Sequence, residues 1–217
     1  MVYELLPDNS HLEEEDEMVF DAELIVFDGH SAATFFHPSV DYQQSFGAPQ
    51  VVEFVGNLDN AAQLDHIGTA PSGRLLVSAR MVRVLESVGA FAHRLIPTVI
   101  YSREIQDLVR HPVSKRRTNY RVDDPRLRNQ DFSILQLTDI FDCLDPHLTR
   151  IGEGSFAQSG REYLSSDRAS HLELRAPAGG FPPVFFVPEL LFYCFTEDAK
   201  QACDAAGLRG LWWRPQP

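Results

Sequence analysis

Four residues within nine positions carry side chains that a catalyst would use. In the stretch TDIFDCLDPHLT, Asp139, Asp142, Asp145 and His147 set three carboxylates close to an imidazole. Such a set can ligate a divalent cation or act as an acid–base group. A short helix capped by Thr138 or Asp139 and running through Leu144 would put Asp139 and Asp142 on one face, at i and i+3. One reading of the stretch is therefore a metal-dependent enzyme. A plainer reading has Asp139 as a helix cap and Asp145 as the start of a turn before Pro146. Oxygen-rich cation sites usually wrap a loop containing glycine, and this stretch has none. The plainer reading is preferred, with no metal, no cofactor and no catalytic residue expected.

The rest of the chain holds little that resembles catalytic machinery. No GxSxG, HExxH, GxxxxGK or GxGxxG occurs. The run Gly152-Glu153-Gly154-Ser155 lacks the lysine of a phosphate loop and reads as a turn. The eight histidines are scattered, with no ligand spacing to each other or to cysteine. Cys143, Cys194 and Cys203 are odd in number and form no CxxC, so they read as small buried thiols in a reducing compartment.

The elements that must position these groups can be read from pattern. Val2 to Leu6, Met18 to Phe27, Val51 to Val55 and Leu75 to Val77 read as strands. Ser78 is placed to cap a helix in which Met81, Val82, Leu85 and Val88 recur at helical spacing, and Gly89 ends it. Residues 56–73 read as a loop, 91–101 as extended chain bent by Pro97, and 131–137 as a buried strand. Residues 152–168 read as a loop, 170–175 as a strand and 176–183 as a turn region. Near the end, Leu190 to Phe195 is apolar. Thr196 caps a helix with Glu197 and Asp198 in its first turn, and Gly207 closes it. Ala199, Ala202, Cys203 and Ala206 give that helix a small-residue face, and residues 208–213 return as a strand. The expected fold is α+β, with mostly antiparallel sheet, a few short helices and a C-terminal strand-helix-strand unit. The chain divides at residue 90 into an acidic region (1–90) and a C-terminal region (91–217), with one joint domain as the alternative.

Charge is distributed unevenly. The chain has 31 acids and 19 bases, for a net charge of −12. Residues 1–73 hold 14 acids and no Lys or Arg, hence −14, and residues 74–217 hold 17 acids against 19 bases, hence +2. The run Glu13, Glu14, Glu15, Asp16, Glu17, with Asp21 beyond it, is the densest part. Five adjacent acids repel one another and belong on an exposed surface. A phosphate backbone would be repelled, so nucleic acid is not expected as a partner, whereas a basic protein would be steered in. Residues 103–128 carry eight bases and read as a solvated excursion or an internal partner for the acidic third. No apolar run approaches the roughly 20 residues that cross a bilayer, and the first residues lack a signal-peptide pattern. A cytoplasmic protein without membrane contact is expected.

Three blocks together resemble a known family. SILQLTDIFDCLDPHLT is similar to a strand running into an Asp-x-Leu-Asp turn followed four residues later by Ser; Asp142, Leu144, Asp145 and Thr149 stand in those places, with Thr for Ser. LFYCFTEDAKQACDAAGLRGLWWRP is similar to an ending of apolar strand, capped helix, Gly-Leu-x-Gly and aromatic strand, carried here by Gly207, Leu208, Gly210 and Trp213. LLVSARMVRVL is similar to a middle block in which a short strand ends in Ser and enters a helix. In their chain order, across residues 74–217, the blocks resemble immunity protein family eleven of bacterial polymorphic-toxin and type VI secretion systems. The resemblance implies a cytosolic antidote that binds a cognate toxin or effector. Many such toxins are nucleases with basic clefts. It also implies that Asp142, Asp145, Thr149, Gly207 and Gly210 are structural, which leaves the acidic run as the partner-binding surface. An adaptor or chaperone for an effector is the remaining non-enzymatic reading.

Overall fold

The computed structural model describes residues 1–8, 22–24, 36–45, 48–70, 74–103, 124–145, 150–151, 156–158, 161–163, 169–188, 190 and 192–216. In chain order the elements begin with β1 (Val2–Pro7), β2 (Ala22–Leu24), β3 (Val52–Gly56), α1 (Leu58–Ala61), β4 (His66–Ile67), β5 (Thr69–Ala70), β6 (Leu76–Ser78) and α2 (Ala79–Val88). They continue with β7 (His93–Ser102), β8 (Arg128–Asn129), β9 (Phe132–Leu137), β10 (Arg150–Ile151), β11 (Phe156–Gln158), β12 (Arg161–Tyr163), β13 (Ala169–His171), β14 (Val184–Phe186), β15 (Tyr193–Thr196), α3 (Glu197–Ala205) and β16 (Leu211–Pro215).

The helices start and stop where their caps dictate. The Ser78 hydroxyl accepts from the Met81 N–H, and Thr196 does the same for Ala199, so each satisfies an otherwise orphaned donor of the first turn. At the end of α3, the Gly207 N–H donates to the Asp204 carbonyl and the Leu208 N–H to that of Cys203. This is a Schellman closure, with Gly207 in the left-handed region at φ 62°. Gly89 ends α2 in extended backbone instead. Met81, Val82 and Leu85 form the buried stripe of α2, and Ala199 and Cys203 that of α3. The small side chains of α3 let it pack against α2 as well as against β1 and β15.

Two larger sheets organise the described residues, beside the two-stranded pairs β10–β13 and β11–β12. The smaller runs β14-β15-β1-β16, all antiparallel. The larger runs β4-β6-β9-β7-β3-β2-β5, with β8 also on β7. Among the described residues only β2–β5 and β3–β7 pair in parallel. The fold is α+β with mainly antiparallel sheet, and β15-α3-β16 forms its C-terminal strand-helix-strand unit.

One core joins the sheets. Tyr3, Leu5, Val184 and Phe195 from the smaller sheet meet Val77, Leu135 and Leu137 from the larger, with Met81 and Leu85 of α2 among them. Each fully buried side chain of this size contributes roughly 1.5–3 kcal/mol. A second cluster around Phe54, Ile100 and Ile134 fills the other face of the larger sheet, and a third around Phe185 and Cys194 that of the smaller. Because β1 lies between β15 and β16, the first residues are integral to the C-terminal region. Pairing of β3 with β7 also crosses residue 90, so neither the sheets nor the first core break there.

Several sequence expectations need correction. The stretch 56–73 is not simply a loop: it holds α1, β4 and β5. Within 152–168 lies the hairpin β11–β12, and β14 follows the turn region. Residues 138–144 are not helical. The Thr138 N–H donates to the Ala92 carbonyl, Phe141 to Phe186, and Asp145 to Glu173, while Cys143 accepts from the Arg175 N–H. The segment is thus extended chain tied to neighbours, with an isolated bridge between Leu144 and Leu174. Its burial follows a period of two: Cys143 and Asp145 point inward, and Asp142 points outward.

Candidate functional site

The extended course of residues 138–145 separates the acids that sequence spacing had grouped. Asp139 and Asp142 are exposed, whereas Asp145 is buried. The Asp145 carboxylate accepts from Nε and Nη2 of Arg175, at 2.9 and 2.7 Å. It is therefore committed to holding the 143–145 strand segment against 173–175. His147 and Thr149 lie outside the described residues. Among the described residues no group of three His, Cys, Asp or Glu side chains is placed to hold a metal ion.

Nucleophilic chemistry at cysteine finds no support either. Cys143, Cys194 and Cys203 are all buried. Burial pushes the Cys194 thiol well up, with Cys143 and Glu4 adding to the effect, and pushes Cys203 up to about 12. At neutral pH both stay as inert thiols.

Buried charge elsewhere is spent on architecture. Glu4 accepts from Arg214 Nε and Nη2 at 3.0 and 2.6 Å across the β1–β16 pair. The Asp65 carboxylate accepts from the Ser78 hydroxyl at 2.7 Å, from Arg80 at 3.3 Å and from the Arg209 N–H at 3.1 Å. Gly210 closes the same junction at φ 83°, with the His66 carbonyl directly against its α-carbon. Both glycines of the Gly-Leu-x-Gly block thus have structural work, Gly207 as a helix closure and Gly210 as a close approach. Outside the cores, Arg126 is paired with Asp124 at 2.7 Å, so this member of the basic stretch is locally neutralised.

An open groove of about 770 Å³ lies between the exit of α2 and the start of α3. Four segments line it: the exit of α2 (Val88 to Ala92), the residues after β9 (Asp139, Phe141), the turn before β14 (Pro177 to Pro183) and the start of α3 (Thr196, Asp198). Phe91, Phe141 and Phe181 form aromatic walls and are each half-buried. They are held from behind. Phe91 stacks on His93 at 4.2 Å between centroids, Phe181 stacks on Phe185 at 4.6 Å, and Phe141 meets Phe185 edge-on at 6.0 Å. Pro183 is fixed by its carbonyl, which accepts from the Thr196 N–H at 3.0 Å.

The charged lining groups of this groove, among the described residues, are two carboxylates, Asp139 and Asp198. The neighbouring Glu197 is engaged elsewhere. The Tyr3 hydroxyl donates to it at 2.5 Å and Gln201 donates at 3.0 Å, which together hold its carboxyl below the usual range. Among the described residues the groove thus offers flat apolar rings and negative charge to a ligand, and no cation.

The sequence-derived partner surface, Glu13, Glu14, Glu15, Asp16, Glu17 and Asp21, lies outside the described residues. Of the other candidates among the described residues, only Asp139 reaches the groove. Asp198 was legible as a first-turn acid of α3 but not as a groove residue, and the aromatic and proline walls carried no periodic signal. The chain matches no family model, and no curated protein matches it.

Proposed function

We propose that this protein is a non-enzymatic, cytoplasmic immunity protein that binds a cognate toxin or effector and neutralises it. The partner is a basic protein, and a nuclease with a cationic cleft fits this description. The observation that carries the reading is the open groove, which presents aromatic walls and two carboxylates and no positive lining group among the described residues. Aromatic anchors with complementary charge are what a protein interface uses for affinity and orientation. The −14 charge of residues 1–73 and the resemblance across residues 74–217 point the same way. A metal-dependent enzyme is the weaker reading, since Asp145 is held by Arg175 and Asp142 does not line the groove.

Co-purification with the product of the adjacent gene tests the reading. A complex that survives size exclusion is expected. An adaptor or chaperone would also form a complex, but it would leave the partner toxic. Reversing Glu13 to Glu17 to lysines should slow association by about tenfold at low salt and flatten its salt dependence, because steering is what raises rates above roughly 10⁵–10⁶ M⁻¹s⁻¹. Stopped-flow rates that match the unaltered protein at low salt would show that the acidic run takes no part in encounter.

A further inference from the structure

We infer that the groove between α2 and α3 is a docking site for an extended, arginine-bearing segment of a partner protein. The inference deepens the proposed function and rests on it only for the partner's identity. Three observations favour a guanidinium over other occupants. First, the walls are aromatic: Phe91, Phe141 and Phe181 are half-buried and braced by His93 and Phe185, so they offer fixed ring surfaces. A planar guanidinium stacks on such surfaces and is more weakly hydrated than an ammonium. Secondly, Asp139 and Asp198 are exposed, and neither has a hydrogen-bond or ion-pair partner among the described residues. Most other carboxylates near the cores are engaged, as Glu4, Asp65, Asp145 and Glu197 show. Thirdly, Gly89, Ala90, Ala92, Gly179 and Gly180 carry almost no side chain along the rim, and a Cβ at Gly179 or Gly180 would meet nothing within 4 Å. The groove is therefore open to a chain entering from outside.

The start of α3 raises one opposing effect. A helix N-terminus carries roughly +0.5 of a charge and disfavours a cation. Here Thr196 already caps that end, Asp198 sits in the first turn, and Asp139 lines the same groove. Two full negative charges outweigh the partial positive one. An acidic or phosphorylated segment would meet both carboxylates and is excluded by the same sum. Pro177, Pro182 and Pro183 offer no N–H to an anion in any case.

The test uses the whole protein and a fluorescein-labelled peptide, Gly-Phe-Arg-Phe-Gly, read by fluorescence anisotropy. The comparison is between two double variants of equal charge change, Asp139→Asn with Asp198→Asn in the groove, and Asp59→Asn with Asp131→Asn at exposed positions away from it. Unchanged melting temperatures establish that both fold. The groove pair should weaken binding by about tenfold, and the distant pair by less than about twofold. Replacing the peptide's arginine with lysine should also weaken binding. Equal loss in the two double variants would reduce the effect to net charge and overturn the site, as would absence of measurable binding to the unaltered protein. The outcomes separate the two ideas. A protein that takes the peptide in the groove yet fails to neutralise the adjacent gene's product retains the site and loses the immunity reading. One that neutralises it although its unaltered form binds no peptide retains the immunity reading and loses the site.

Discussion

Replacing Gly210 by alanine should cost at least about 3 kcal/mol of unfolding free energy, measured by urea denaturation. Two effects add at this position. Its φ of 83° lies in the left-handed region, where a Cβ costs roughly 1–2 kcal/mol. A Cβ there would also overlap the carbonyl oxygen of His66, which is backbone and cannot swing aside. The His66 N–H and the Asp65 N–H both donate to the Arg209 carbonyl, so retreat of that strand breaks further bonds. Gly207→Ala supplies the control. Its φ of 62° imposes similar strain, but nothing lies within 4 Å of the added carbon. It should cost only about 1–2 kcal/mol. Equal losses at the two glycines would remove the close approach from the account.

Removing the Asp65 carboxylate should be comparably severe. Its side chain is 8% exposed and receives three donors, one of them the backbone of Arg209. Asp65→Ala leaves the Ser78 hydroxyl and the Arg209 N–H to find new partners in a buried junction, at a cost of about 3 kcal/mol. Arg80, by contrast, is 51% exposed, so Arg80→Ala should cost under about 1 kcal/mol after solvent screening. If the two substitutions proved equal, the ion pair and not the hydrogen-bond network would be what holds the junction. Asp65 and Gly210 fasten the same loop to the 64–66 segment, so their combined loss should fall short of the sum.

How far the sequence revealed this arrangement depended on the range over which each signal acts. Ser78, Thr196 and Gly207 act on their own helix turns, and all three were read correctly from type and position. β1, β3 and β9 also followed from apolar patterning. The misreadings share a cause. β4 and β5 are two residues long, too short to show a period, and they exist because β6 and β2 supply partners. Residues 138–145 had a plausible cap and helical spacing of their acids, yet their backbone groups bond to Ala92, Phe186 and Glu173 far along the chain. Tertiary pairing overrode local preference there. The groove was hidden for the same reason. Its walls come from four separated segments, which no local pattern in the sequence joins.

Three of the residues that carried the family resemblance have structural duties. Gly207 and Gly210 fix the α3–β16 connection, and Asp145 anchors an extended segment. Such positions describe a scaffold, whereas partner choice is a matter of surface. On the proposed reading, that surface comprises the groove carboxylates and the acidic first third.

Growth of cells producing the adjacent gene's product, with and without this protein, tests the central claim most directly. The immunity reading predicts arrested growth with the partner alone and restored growth when both are produced. Undiminished growth with the partner alone, or arrest that persists when both are present at equal levels, would contradict it.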